Sequence, residues 1–355
     1  MKRAALLVPL LSLTLLGAGC SIPGLGGGQT AKGPDGGLWR TADAGGHWAQ
    51  AVVIPGPKGN GTLANTNVLA FEQDPSDANV SYVGTRENGM FVSEDATASW
   101  RQPYASVLRS GAVTDIAIDP KAACTIYAAK GTRLIKSTDC LRSVDDQAYV
   151  ETRQKVNVSA VQVDWYNPGV VWLGLDNGEV LKSADGAKTW RTAVNAKGVV
   201  TSIRVSNADS RIVLVGTTTN GFFRSVDGGA TWKNDTEGLK NFRNGTKVLA
   251  LSQDKSGSTL VAATGYGLLR SGDFGATWEG LTLLTAPGQV VIKALAVEPG
   301  NAQHISYATV GTFYRSLDGG KTWNTQTLPS TRVPETMRID SANPSIIFVG
   351  VSSVK

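Results

Sequence analysis

Carboxylates at regular spacing are the first residues in this chain that could do chemistry. Asp43, Asp95, Asp139, Asp185, Asp227, Asp273 and Asp318 succeed one another at intervals of 52, 44, 46, 42, 46 and 45 residues. Each sits in a motif of the form S/T-x-D-x-G-x-T-W, clearest at Ser225–Trp232, SVDGGATW. Acid–base catalysis needs two carboxylates in one place rather than one per repeat. The repetition therefore assigns these aspartates to turns. An Asp carboxylate accepts hydrogen bonds from backbone N–H groups a few residues on. Gly supplies a positive φ, and the Trp supplies a large apolar anchor whose N–H needs one partner.

Carboxylates outside the periodic set are the remaining candidates for catalysis. Asp176, paired with Glu87 or Asp145, could act as acid and base. Other chemistries lack their residues. His47 and His304 are the two histidines, too few for a metal centre or a Ser-His-Asp site with His47 inside a repeat. No Gly-rich phosphate loop precedes a helix, so neither a metal nor a cofactor is expected. The formal net charge is +5, without a basic block, and nucleic acid is not an expected partner.

The elements that must position these residues are short strands. A period near 45 residues, built from apolar runs of four to six residues, matches a propeller blade. Two strands precede each motif. Val68–Gln73 with Ser81–Thr85 is the first such pair, and Val158–Val163 with Val170–Gly174, Val200–Val205 with Ile212–Thr217 and Val248–Ser252 with Thr259–Ala263 repeat it. The runs alternate or are wholly apolar and are bounded by turn residues. The chain from Gly37 opens on the second half of a repeat, and Met337–Gly350 reads as the first half of another. Ring closure follows, with the last two strands pairing with the first two to finish one blade from both ends and protect the sheet edges. The predicted fold is all-β, a single seven-bladed propeller over 37–355.

The repeats resemble the Asp-box, or BNR, repeat from Gly37 onward. The match is strong in the copies ending at Trp232, Trp278 and Trp323. Ala187 replaces Gly in the copy ending at Trp190, and His47 replaces Thr in the copy ending at Trp48. Thr97 and Ser99 depart from the pattern before Trp100, and Leu141 and Val144 replace Gly and Trp after Asp139. Among Asp-box propellers, the sialidases are a poor fit, because no Arg-Ile-Pro motif is present. The xyloglucanase-type endoglucanases are similar in repeat style. That resemblance implies a catalytic Asp after the second strand of an early blade, where this chain has Arg86, and usually two propellers. In its Asp-box repeats, its blade number and the run Leu16-Gly17-Ala18-Gly19-Cys20, which looks like a bacterial lipobox, the chain resembles the photosystem II stability and assembly factor family and, more loosely, sortilin-type propellers. What this implies is a non-catalytic, rigid disc that binds a protein at a membrane. A glycan-cleaving or glycan-binding role is the alternative.

Lys2 and Arg3, the apolar run Ala4–Leu16 and Leu16-Gly17-Ala18-Gly19-Cys20 read as a bacterial lipoprotein signal over 1–19 with lipidation at Cys20. Residues 20–36 are Gly- and Pro-rich and read as a tether. The expected location is thus a membrane surface on the extracytoplasmic side. A hairpin around Lys130-Gly131-Thr132 brings Cys124 within reach of Cys140. A disulfide there would contribute about 3 kcal/mol in the chain-entropy model and replace the missing Trp of that blade. It fits an oxidising compartment.

Function in such a disc belongs to the face opposite the motif turns, where loops stand on a rigid scaffold. Arg86, Glu87, Asn88, Lys130, Asp176 and Tyr266 come from turns between second and third strands. Tyr104, Tyr149, Arg153, Phe242 and Arg243 come from the stretches joining blades, including Arg142–Asn157, which is expected to be a loop. The aromatic residues offer stacking surfaces.

Overall fold

The computed structural model describes residues 34–353. They form seven antiparallel blades around a central channel. Blade 1 holds Val68–Gln73, Ser81–Thr85 and Met90–Ser93. Blade 2 holds Asp115–Ile118, Ile126–Lys130, Arg133–Ser137 and Asp145–Val150. Blade 3 runs from Val158–Val163 to Arg191–Asn195, blade 4 from Val200–Val205 to Lys233–Asn234, and blade 5 from Val248–Gln253 to Glu279–Gly280. Blade 6 runs from Ala294–Glu298 to Asn324–Thr327. Several expected strands agree to the residue; the others shift by one or two positions or, in blades 6 and 7, extend further.

Blade 7 closes the ring. Val333–Ile339 and Ile347–Ser352 are its inner strands, and Gly37–Thr41 and Trp48–Gln50 are its outer ones. Gly37 pairs with Val351, Trp39 with Val349 and Thr41 with Ile347, as ring closure requires. The 52-residue first interval is explained by an inserted hairpin, Val53–Ile54 with Gly61–Thr62. The expected signal segment 1–19, Cys20 and most of the tether 20–36 lie outside the described residues. The last tether residues are part of the propeller instead. The Asp35 carboxylate accepts from the Thr331 amide at 2.8 Å and from Arg332 Nε at 3.1 Å, and the Gly36 amide donates to Ala64 O.

The outer strands differ from the inner ones. Second strands are buried throughout in blades 1, 3, 4 and 5, because neighbouring blades cover both faces. Outer strands such as Asn324–Thr327 are exposed and polar, so they carry no apolar alternation. In blade 1 the outer strand shrinks to one bridge, Val92 with Arg101. The residue that would donate the next ladder bond is Pro103, which has no N–H. In blade 4, Asp235 holds that place and donates to Phe222 O.

Candidate functional site

The Asp-boxes form one face. In all seven, the Ser or Thr hydroxyl donates to Asp Oδ1 at 2.7–2.9 Å. The backbone N–H four residues after each Asp donates to the same oxygen at 2.8–2.9 Å. Six boxes add a hydroxyl donating to Oδ2, from Thr or, at Ser99 and Ser143, from Ser. In the seventh, His47 Nδ1 occupies the hydroxyl's place, 2.6 Å from Asp43 Oδ2. The degenerate boxes thus keep the geometry. Thr97, Leu141 and Ala187 adopt the positive φ of the Gly they replace, at 69°, 64° and 71°. These bonds hold the carboxyls low: Asp139 falls to about 2, chiefly through the Ser143 hydroxyl and then its amide. Asp227 falls to about 2 through Thr231 in the same way. Such acids stay ionised and spend their lone pairs on the turn.

Cys124 and Cys140 form a disulfide in the blade where Val144 replaces the box Trp. Elsewhere that Trp meets the preceding blade, by ring packing at Trp48, Trp232 and Trp278, against Phe313, Trp172 and Phe222, and by its N–H at three others. Trp100 Nε1 donates to Ala51 O, Trp190 Nε1 to Ala148 O and Trp323 Nε1 to Thr282 O.

Residues expected to bind lie mostly on the opposite face, already engaged. Glu87 accepts from Asn67 Nδ2 at 3.2 Å. Asp176 accepts from the Asn157 amide and side chain, both at 2.9 Å. Arg86 donates to Ser352 Oγ at 3.2 Å and lies 3.8 Å from Glu335. Arg153 donates to Glu151 and Glu179, each at 2.6 Å. Its guanidinium, with its amide and the Tyr149 hydroxyl also donating, lowers Glu151 to about 2 despite burial. Phe242 and Tyr266 pack edge to face, centroids 5.1 Å apart. Tyr104, 70% exposed, and Arg243 remain at the surface, and Asn88 donates its amide to Thr85 Oγ1. Lys130 ends a strand beside Gly111.

Asp145 is misplaced by the loop reading. Asp145–Val150 is the outer strand of blade 2, and Asp145 pairs with Lys136 at the box end of that strand. Six residues of strand span about 20 Å, which sets Asp145 apart from Asp176 and Glu87 on the other face. Those two lie two blades apart, each capped by an Asn. Among the described residues, no group of three His, Cys, Asp or Glu side chains could hold a metal.

Sequence reasoning missed the central channel. A chamber of about 400 Å³ faces the boxes, and one of about 130 Å³ opens on the loop face. Asp115, Arg204 and Arg338 line both and therefore form the waist between them. Arg338 pairs with Glu72, and Lys293 with Glu335 at 2.7 Å. Burial pushes Asp115 up to about 6, with a smaller push from the Glu72 charge, against the pull of the Val161 amide, of Arg204 and of the Ile116 amide. Strand pairing puts Glu72, Ala117, Gln162, Arg204, Ser252, Ala296 and Arg338 at one register position, the last but one before each inner-strand end pair. A charge at that position in an otherwise apolar strand is the signal that superposing the repeats would have exposed.

The comparisons place this geometry among known propellers. A family model described as photosynthesis system II assembly factor YCF48 matches residues 199–354. No curated protein matches the chain. The GH74 xyloglucanase of Xanthomonas campestris superposes with a TM-score of 0.64 at 17% identity, over 88% of this chain and 52% of that one. This chain thus spans about half the length of that enzyme. A structure of YCF48 bound to D1 peptide gives 0.61 at 14% identity, over 81% of this chain and 94% of the other. YCF48 from Cyanidioschyzon merolae gives 0.59 at 12%, over 84% and 98%. The chain is a seven-bladed Asp-box β-propeller, similar through its last blades to the YCF48 assembly factors of photosynthesis system II.

Proposed function

We propose that this propeller is a non-catalytic binding or assembly protein, held at the extracytoplasmic side of a membrane by a lipid on Cys20. The observation that carries the reading is the state of the loop-face carboxylates. Asp176 and Glu87 spend their oxygens on Asn157 and Asn67, which suits a stiff face better than an acid–base pair. The YCF48 structure bound to D1 peptide supports a protein segment as the ligand class. The disulfide supports an oxidising address.

The test is affinity capture from gently solubilised membranes of the native cells. The control is a variant with residues 86–88, 152–156 and 240–244 replaced, which leaves every blade strand intact. A membrane protein retained by the native face and lost with the variant is the expected result. The likeness to the xyloglucanase favours a glycan as the second reading. Capture that ignores the loops, together with polysaccharide cleavage that fails in Asp176→Asn and Glu87→Gln, would establish that reading instead. The anchor has its own test: Cys20→Ser moves the protein from the membrane fraction to the soluble one.

A further inference from the structure

We propose that the waist of the central channel is a binding site for a small oxyanion, held by Arg204. A guanidinium carries five N–H donors and no acceptor. Arg204 uses only Nη1, which donates to Ile203 O at 2.9 Å and to Gln162 Oε1 at 3.4 Å. Nε and Nη2 find no acceptor among the described residues, and no carboxylate oxygen lies within 4 Å of the group. Arg338 occupies the same register position and is neutralised by Glu72. Arg204 thus has free donors in a chamber of about 400 Å³, room for an inorganic oxyanion or a small organic acid. Arg204 is half-buried, and the carboxylates that act on it, Asp115 and Glu72, do so across the channel without a direct ion pair; a planar fork with open donors suits a bidentate oxyanion.

The charges facing the waist sharpen the proposal. Glu72 and Arg338 cancel, as do Glu335 and Lys293 on the loop side. Asp74 spends Oδ1 on the Ser76 and Asp77 amides at the chamber's rim, and Lys255 lies at the same rim. Asp115 remains. Its oxygens accept from the Ile116 and Val161 amides, at 3.0 and 2.9 Å, and Arg204 acts on it across the channel without a direct ion pair. An arriving anion meets Asp115 as a like charge, so binding and protonation of Asp115 favour one another. Because burial already brings Asp115 up to about 6, the coupling falls between pH 5 and 8.

Sulfate is the probe, because it stays a dianion across that range and any pH dependence belongs to the protein. Calorimetric titration of the propeller should show one saturable site at pH 5, weaker by about tenfold at pH 8. Arg204→Gln should abolish it, and Asp115→Asn should keep the pH 5 affinity at pH 8. Wild-type protein that takes up no sulfate saturably at pH 5 overturns the proposal, as does a folded Arg204→Gln that binds equally well. Crystals soaked in selenate need no variant. An anomalous peak within hydrogen-bond distance of Arg204 supports the site, and ordered selenate only elsewhere refutes it.

Discussion

The seven box aspartates are turn-makers because each carboxylate is saturated by its own box. Their folded pKa values lie below the unfolded value of about 3.9, at about 2 for Asp139 and Asp227. Between those values the unfolded chain binds more protons than the folded one, so stability rises with pH there. The stabilisation is complete above about pH 4–5 and is lost as pH falls towards 2. Melting temperatures should be level at neutral pH and fall steeply below pH 4; a curve still level at pH 2.5 would contradict the role. The box glycines differ among themselves. A Cβ on Gly229 would lie 2.3 Å from the Trp172 ring, at a φ of 85°. Gly229→Ala should cost about 3 kcal/mol, the sum of a left-handed Ala and an overpacked core. Thr97 carries the reverse problem: a β-branched residue at φ 69° whose buried hydroxyl has no partner. Thr97→Gly should raise stability by about 1 kcal/mol. Urea midpoints check both.

Blades are joined by contacts that recur from one to the next. In blades 2, 3 and 4 a basic residue before the box Ser donates to the following blade's box. Lys136 Nζ donates to Gly186 O at 2.8 Å, Lys182 Nζ to Gly228 O at 2.7 Å and Arg224 Nε to Phe274 O at 3.0 Å. Lys182 also lies 5.0 Å from the centre of the Trp172 ring. Lys182→Met should cost about 1–2 kcal/mol through both losses. In blade 1 the corresponding residue is Val92, which cannot donate to the box of blade 2. That box is the one tied by Cys124–Cys140, and it also lacks its Trp. Both cysteines belong to blade 2, so the crosslink fixes that box to its own blade where the usual contacts with blade 1 are missing. Removing it with Cys124→Ser and Cys140→Ser should cost about 3 kcal/mol, and a reductant should shift the wild-type urea midpoint equally. An unchanged midpoint would mean that packing alone holds blade 2.

Closure of the ring repeats an ordinary blade contact. The second strand of blade 3 passes Gly174 close to Val200 of blade 4, where an added Cβ would lie 2.4 Å from Val200 Cγ1. Gly216 meets Val248 in the same way. Gly350, on the C-terminal strand, meets Val68 of blade 1 at 2.5 Å, so blade 7 docks on blade 1 as any blade docks on its neighbour. Gly350→Ala should cost about 2 kcal/mol by overpacking. Ending the chain at residue 344 should remove Ile347–Ser352, strand Gly37–Thr41 losing its partner with it. Cooperative melting should disappear; a single sharp transition in the truncated protein would show that closure is dispensable.

Blade number, strand order and ring closure were legible in the chain because period, alternation and turn residues are local properties repeated seven times. The disulfide was legible because a short hairpin brings its two cysteines near each other. The outer strand of blade 2 was hidden: Asp145–Val150 is polar, partly exposed and has no Trp to open it, so it reads as a loop, and Asp145 went to the wrong face with it. The caps on Asp176 and Glu87 come from Asn157 and Asn67, one loop away, and only the folded chain brings them together. The channel was decided by tertiary structure alone. Asp115, Arg204 and Arg338 lie on three blades, separated by up to 223 residues of chain. They meet because a closed ring points the same face of every inner strand at one axis.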